Sequence, residues 1–78
     1  MTEMAEQMEK ARALLAEGEQ LKALVIASDV LAAADDPDVL REVHELAVEG
    51  HDRAVGLQKI HWRELMIAAE ARREHPVA

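Results

Sequence analysis

The segment ADDPD at residues 34–38 is the clearest helix break in the chain, and it separates two long helical parts. Asp36 is suited to cap a helix, Pro37 to occupy its first position, and Asp38 to interact with the positive end of its dipole. On both sides of this break, apolar residues recur at helical spacing. The sequence therefore predicts an all-α chain with helices at about 3–17, 19–35 and 37–73.

Two glycines, Gly50 and Gly56, leave the third helix open to two interpretations. Each interior glycine costs a helix about 1 kcal/mol relative to alanine, which burial readily offsets. The segment between them, HDRAV, contains Asp52 as its one turn-prone residue. This weak turn chemistry favours a continuous or kinked helix over 37–73, roughly 50 Å long at ~1.5 Å per residue. The alternative is a break at 50–56, which would give two compact hairpins.

The composition predicts a small single domain that gains stability from oligomerisation. The chain has 78 residues with fifteen alanines and one tryptophan, and it lacks phenylalanine and tyrosine, so its core is small. It has no cysteine, which excludes disulfides and zinc sites built on thiolates. Half of a continuous third helix would also extend beyond the first two helices. We therefore expect a dimeric helical bundle, a homodimer formed through the C-terminal helix.

Charge and hydropathy exclude several classes of partner. The net charge of -7 argues against nucleic acid, because phosphate contacts need a basic surface. The sequence contains no apolar run of about 20 residues and no secretory signal, so no membrane association and a cytoplasmic location are expected. Residues 1–52 carry 13 acidic and 4 basic residues, whereas residues 53–78 carry 3 acidic and 5 basic residues. The two parts therefore have opposite net charge, which favours contact between copies. Abundant Ala, more Arg than Lys and no Asn suggest a bacterial protein.

The last helical segment has two apolar sides, which predicts two neighbours. One side carries Leu57, Ile60, Ile67, Ala68 and Ala71, and the other carries Trp62, Leu65, Met66 and Ala69. Trp62 has two interpretations, since a lone tryptophan either fills the core or anchors a partner. The predicted partner or dimer interface consists of Leu57, Ile60, Trp62, Leu65, Met66 and Ala69.

No residue pattern predicts catalysis or a cofactor. Ser28 lies among apolar residues without a neighbouring base, and the glycines are too isolated for a phosphate loop. The metal-ligand candidates are His44, His51, His61 and Glu64, and only the last two share the spacing of a single helical turn. We predict a non-enzymatic protein that needs no cofactor. A helical bundle that binds a metal or small molecule through these histidines is the alternative from another class.

The first half of the chain resembles a tetratricopeptide-type hairpin. The segment ARALLAEGEQLKALVIASDVLAAADDP has Ala11 in the first helix, Gly18 at the turn, and Ala23 and Ala27 in the second helix. The pentapeptide LLAEG at 14–18 also returns as LAVEG at 46–50, a faint repeat. A related likeness is to the helical dimerisation segment of alkylsulfatase-type hydrolases, where a similar hairpin precedes a WR pair like Trp62–Arg63. Both resemblances imply an assembly or interaction element, and neither transfers a catalytic residue. A monomeric tetratricopeptide-like adaptor that binds a partner peptide is therefore the alternative to a homodimer.

Overall fold

In a computed structural model, the chain is described over residues 3–74. All regular structure in this range is helical, which confirms the predicted all-α class. The helices are α1 (Glu3–Ala16), α2 (Gln20–Ala33), α3 (Pro37–Arg53) and α4 (Leu57–Glu74). They form two antiparallel hairpins, α1–α2 and α3–α4, and α3–α4 is the most extensive helix pair. The second hairpin packs on the first through α2 and α1.

The local signals around the first turn and the central break act as the sequence predicts. Gly18 adopts a left-handed backbone conformation with φ 85°, which ends α1 and lets the chain reverse. Asp36 caps α3 by accepting the Asp38 N–H at 2.9 Å, and Pro37 is the first residue of that helix.

The prediction of one helix over 37–73 is wrong, because the chain turns at Ala54, Val55 and Gly56. The Ala54 N–H donates to the Gly50 carbonyl at 2.9 Å and completes the last turn of α3. Ala54 itself is extended, and Gly56 is left-handed with φ 63°. In this three-residue connection only Gly56 has a positive φ, a conformation that glycine adopts without steric cost. Gly56 alone is therefore enough for the turn, although HDRAV contains few turn-forming residues.

Gly50 has a different role, because it lies inside α3 against the ring of Trp62. A Cβ atom at position 50 would lie closer than 3.0 Å to three ring carbons of Trp62. The glycine therefore allows α4 to fold back onto α3 at close range. The overhanging half-helix predicted from a continuous spine does not exist. The repeat that paired Gly18 with Gly50 is also not structural, since the turn glycines are Gly18 and Gly56.

One apolar core joins the four helices. Its largest fully buried side chains are those of Met8, Leu15, Val43 and Trp62. Alanines at positions 11, 23, 27, 47 and 69 fill much of the remaining interior. These small side chains let helices approach closely, and the aromatic ring of Trp62 supplies the area that the alanines do not.

Two arginines connect the hairpins at opposite ends of the bundle. Arg53, the last residue of α3, donates to the Leu15 carbonyl at 3.3 Å and to Glu49 at 3.1 Å. Arg72, near the end of α4, donates to the Leu31 and Ala34 carbonyls at the end of α2. Carbonyls at a helix C-terminus carry partial negative charge, so each guanidinium stabilises one helix end. The Leu15 carbonyl also accepts the Gly18 N–H at 3.1 Å, so Arg53 is its second donor.

Candidate functional site

The inner side of α4 belongs to the core of the chain itself. Trp62, Leu65 and Ala69 are buried, and Met66 is partly buried against the same core. All four were predicted to contact a partner, but the burial of Trp62, Leu65 and Ala69 assigns these three to the core instead, while the prediction for Met66 stays open. Trp62 is fully inaccessible and fills the space between α3 and α4, so it is a core residue rather than an exposed anchor.

The outer side of α4 is apolar and exposed. Leu57, Ile60 and Ile67 are 76%, 54% and 53% exposed, and the first two were predicted interface residues. Positions 57, 60, 64, 67 and 71 follow alternating steps of three and four residues and share an arc of about 80° on the helix. We call this set, Leu57, Ile60, Glu64, Ile67 and Ala71, the α4 seam. Trp62 lies on the opposite side of the helix.

Charged residues border the seam on one side. Lys59, Arg63 and Glu70 project there, and the salt bridges of residues 3–74 involve neither Lys59 nor Arg63. Glu64 lies inside the seam, with its Oε1 atom 3.7 Å from His61 Nδ1. The surface thus combines apolar side chains, one central carboxylate and uncommitted basic groups. That combination is suited to pairing with another protein surface.

A second exposed apolar group lies on α2 and provides a comparison. Leu21 and Val25 are 60% and 53% exposed, and they line a shallow depression with Leu14, Lys10 and Lys22. The α2 group is shorter than the seam, since it spans only one helical turn of large apolar residues.

The histidines do not assemble a metal site in the described part of the chain. His44 Nε2 lies 4.0 Å from Glu70 Oε2, and His51 Nδ1 lies 4.0 Å from Asp52 Oδ1. His61 has Glu64 beside it, as the spacing predicts. Across residues 3–74, no group of three His, Cys, Asp or Glu side chains is placed to hold a metal ion.

Ser28 lies near a histidine and a carboxylate, but the three do not form a catalytic arrangement. It lines a cleft of about 330 Å³ between α2 and α4 together with His61 and Glu64. No hydrogen bond joins the Ser28 hydroxyl to His61 among residues 3–74. Activation of a serine nucleophile requires such a contact with a base.

Comparison with known proteins identifies no relative of this chain. No protein-family model matches it, no curated protein is similar in sequence, and no solved structure matches its fold. The resemblances to tetratricopeptide hairpins and to the alkylsulfatase dimerisation segment therefore stay hypotheses. Among the described helices, none is both long and apolar enough to cross a membrane.

Proposed function

We propose that this protein is a non-catalytic interaction module that self-associates through the α4 seam. The observation that carries the proposal is the exposure of three large aliphatic side chains, Leu57, Ile60 and Ile67, at coiled-coil spacing on one helix. Burying this stripe against a second copy would remove apolar area from water. The small, alanine-rich core supports the same conclusion, since small domains often gain stability from association.

The seam is compatible with antiparallel two-fold pairing centred on Glu64. In that arrangement, Ile60 would face Ile67 of the second copy, and each pair would occur twice by symmetry. Leu57 would face Ala71 of the second copy. Arg63 would lie beside Glu64 of the second copy, which offsets the repulsion between the two central carboxylates. A charged residue at a seam position fixes the register at a cost in affinity.

The proposed dimer is weak and dependent on concentration. The seam belongs to one helix of 18 residues, about 27 Å long at ~1.5 Å per residue. An interface of that length lies at the small end of specific interfaces. Association is expected at tens of micromolar protein and dissociation on dilution.

Sedimentation equilibrium on matched charge variants tests the proposal. The double variant Ile60→Glu/Ile67→Glu introduces charge into the seam, and Leu21→Glu/Val25→Glu introduces the same charge into the exposed group on α2. We expect the wild type and the α2 variant to associate alike, and the seam variant to stay monomeric. Equal association by the two variants would refute the seam as the interface. Circular dichroism on both variants shows whether the fold is kept.

A monomeric adaptor is the alternative that uses the same surface. If the wild type stays monomeric up to several hundred micromolar, self-association is rejected. The exposed seam would then serve as the docking face for a segment of a different protein. Such a segment would be an amphipathic helix that pairs with Leu57, Ile60 and Ile67.

A further inference from the structure

His61 and Glu64 place two metal-binding groups side by side on the outer part of α4. The His61 Nδ1 and Glu64 Oε1 atoms are 3.7 Å apart. Two ligand atoms on a tetrahedral zinc ion, with bonds of ~2.0–2.1 Å, are about 3.3 Å apart. Both side chains are more than half exposed, so small rotations bring the two groups to that spacing. One copy of the chain therefore offers two of the four ligands that a zinc ion takes.

Antiparallel pairing about Glu64 would supply the other two ligands. His61 lies one turn closer to the start of α4 and about 60° around the helix from Glu64. A two-fold axis perpendicular to both helices keeps the two His61 side chains on the same side of the interface. With helix axes about 9 Å apart, the His61 Cα atoms of the two copies are about 12 Å apart, and the Glu64 Cα atoms about 5 Å apart. A zinc ion on the axis is then about 6–7 Å from each His61 Cα, a distance that a zinc-bound imidazole spans.

The basic residues beside the seam leave this side of the interface free. Arg63 lies about 160° around the helix from His61, so it approaches Glu64 of the second copy from the opposite side. A carboxylate has two oxygens, and one can accept from Arg63 while the other binds the metal. On the side of His61, the seam is bordered by the cleft between α2 and α4, whose lining includes no lysine or arginine among the described residues.

We propose that two copies of this chain hold one Zn²⁺ ion between them, through His61 and Glu64 of each copy. The site rests on the proposed self-association through the seam, because one copy provides only half of the ligands. Two imidazoles and two carboxylates form the mixed nitrogen and oxygen set that zinc accepts, whereas Mg²⁺ requires oxygen ligands. The ion also neutralises the two central carboxylates, so the weak metal-free pairing becomes tighter when zinc binds.

The other histidines with a carboxylate nearby lack this relation to the seam. His44 and Glu70 approach each other across α3 and α4, and His51 and Asp52 are neighbours at the end of α3, each pair at 4.0 Å. Neither histidine borders the seam, so pairing about Glu64 does not bring two copies of either pair to one ion. His51 therefore provides a matched control for His61.

Sedimentation equilibrium in Zn²⁺ and in EDTA tests the proposal on protein without a histidine tag. The dissociation constant of the wild-type dimer should fall at least about tenfold in Zn²⁺, because an ion that binds only the dimer, at about ten times its own Kd, tightens association by that factor. Metal analysis after gel filtration should give one zinc per two chains. His61→Gln should lose the zinc response, and His51→Gln should keep it. Circular dichroism on each variant shows whether the fold is kept.

Glu64→Leu separates the metal from the apolar contact. In EDTA this variant should associate more tightly than the wild type, because the two central carboxylates no longer repel each other. Its dissociation constant should nevertheless be the same in Zn²⁺ as in EDTA, because half of the ligands are gone.

Four results would overturn the zinc site: unchanged wild-type association in Zn²⁺, an equal response of His61→Gln and the wild type, an equal effect of Mg²⁺, or one zinc per chain without dimers. A wild type that dimerises in EDTA through the seam but ignores zinc would reject the metal site and leave the seam in place. Equal association of the wild type and Ile60→Glu/Ile67→Glu in EDTA and in Zn²⁺ would instead reject the seam and the zinc site together.

Discussion

Substituting Gly50 by alanine tests whether α4 folds back onto α3. In an exposed helix interior this change is stabilising by about 1 kcal/mol, because glycine is a poor helix former. Here the added methyl group meets three carbons of a fully buried tryptophan ring closer than 3.0 Å. Forcing extra volume into a packed core costs about 1–3 kcal/mol, and a rigid ring against rigid backbone belongs in the upper part of that range.

The two effects together give an expected loss of about 1–2 kcal/mol for Gly50→Ala. In a domain of this size the midpoint of thermal unfolding should fall by about 5–15 °C. Urea titration followed by circular dichroism and by tryptophan fluorescence measures the loss, since Trp62 is the one fluorescent indole. The titration should be run at low protein concentration, so that self-association does not add to stability.

Two controls separate the clash from helix propensity. Glycine and alanine variants of Glu45, exposed on α3, give the propensity difference without a packing term. In the background Trp62→Leu the smaller side chain relieves the contact, so Gly50→Ala should become neutral or stabilising. The resulting coupling between the two positions should exceed about 1 kcal/mol. A Gly50→Ala protein that is more stable than the wild type would refute the contact with Trp62 and would revive the continuous third helix.

Three further predictions concern the turn, an arginine at a helix end and the seam. Gly56→Ala should lower the free energy of unfolding by about 1 kcal/mol, because φ at this position is 63°. Gly56→Asn should lower it by less, and urea titration of both variants measures the difference. Arg72→Ala should lower the free energy of unfolding by about 1–2 kcal/mol in the same assay, whereas substitution of its exposed neighbour, Arg73→Ala, should change it by less than about 0.5 kcal/mol. Equal losses would reject the role of Arg72 at the end of α2. Glu64→Leu should tighten self-association at least about tenfold in sedimentation equilibrium, and weaker association would contradict the central position of Glu64.

Local chemistry was sufficient to predict the first two helices and the start of the third. The capping by Asp36 and the turn at Gly18 depend on a few neighbouring residues, so the sequence alone indicates them. Gly50 and Gly56 could not be distinguished in this way, because both are isolated glycines in a helical pattern. They differ in their tertiary contacts: the ring of Trp62 packs on Gly50, and the chain reverses at Gly56.

The candidate interface was predicted in part. The spacing of apolar residues predicts the two apolar sides of α4. Which of the two sides packs into the core depends on whether the chain reverses before Leu57. With the reversal, Trp62 turns inward because it buries more area than any other side chain here. The contacts of Arg53 and Arg72 with remote carbonyls have no sequence signal, since any exposed arginine at a helix end looks the same.

Disulfide trapping at the centre of the α4 seam tests the proposed self-association most directly. The chain has no cysteine, so a single Glu64→Cys substitution reports only on contact between copies. Antiparallel pairing about this position brings the two thiols together across the symmetry axis, within the separation that a disulfide requires. Under mild oxidation at tens of micromolar, Glu64→Cys should convert to a covalent dimer much faster than Leu21→Cys, an exposed control on α2. Equal rates for the two variants would contradict association through the seam.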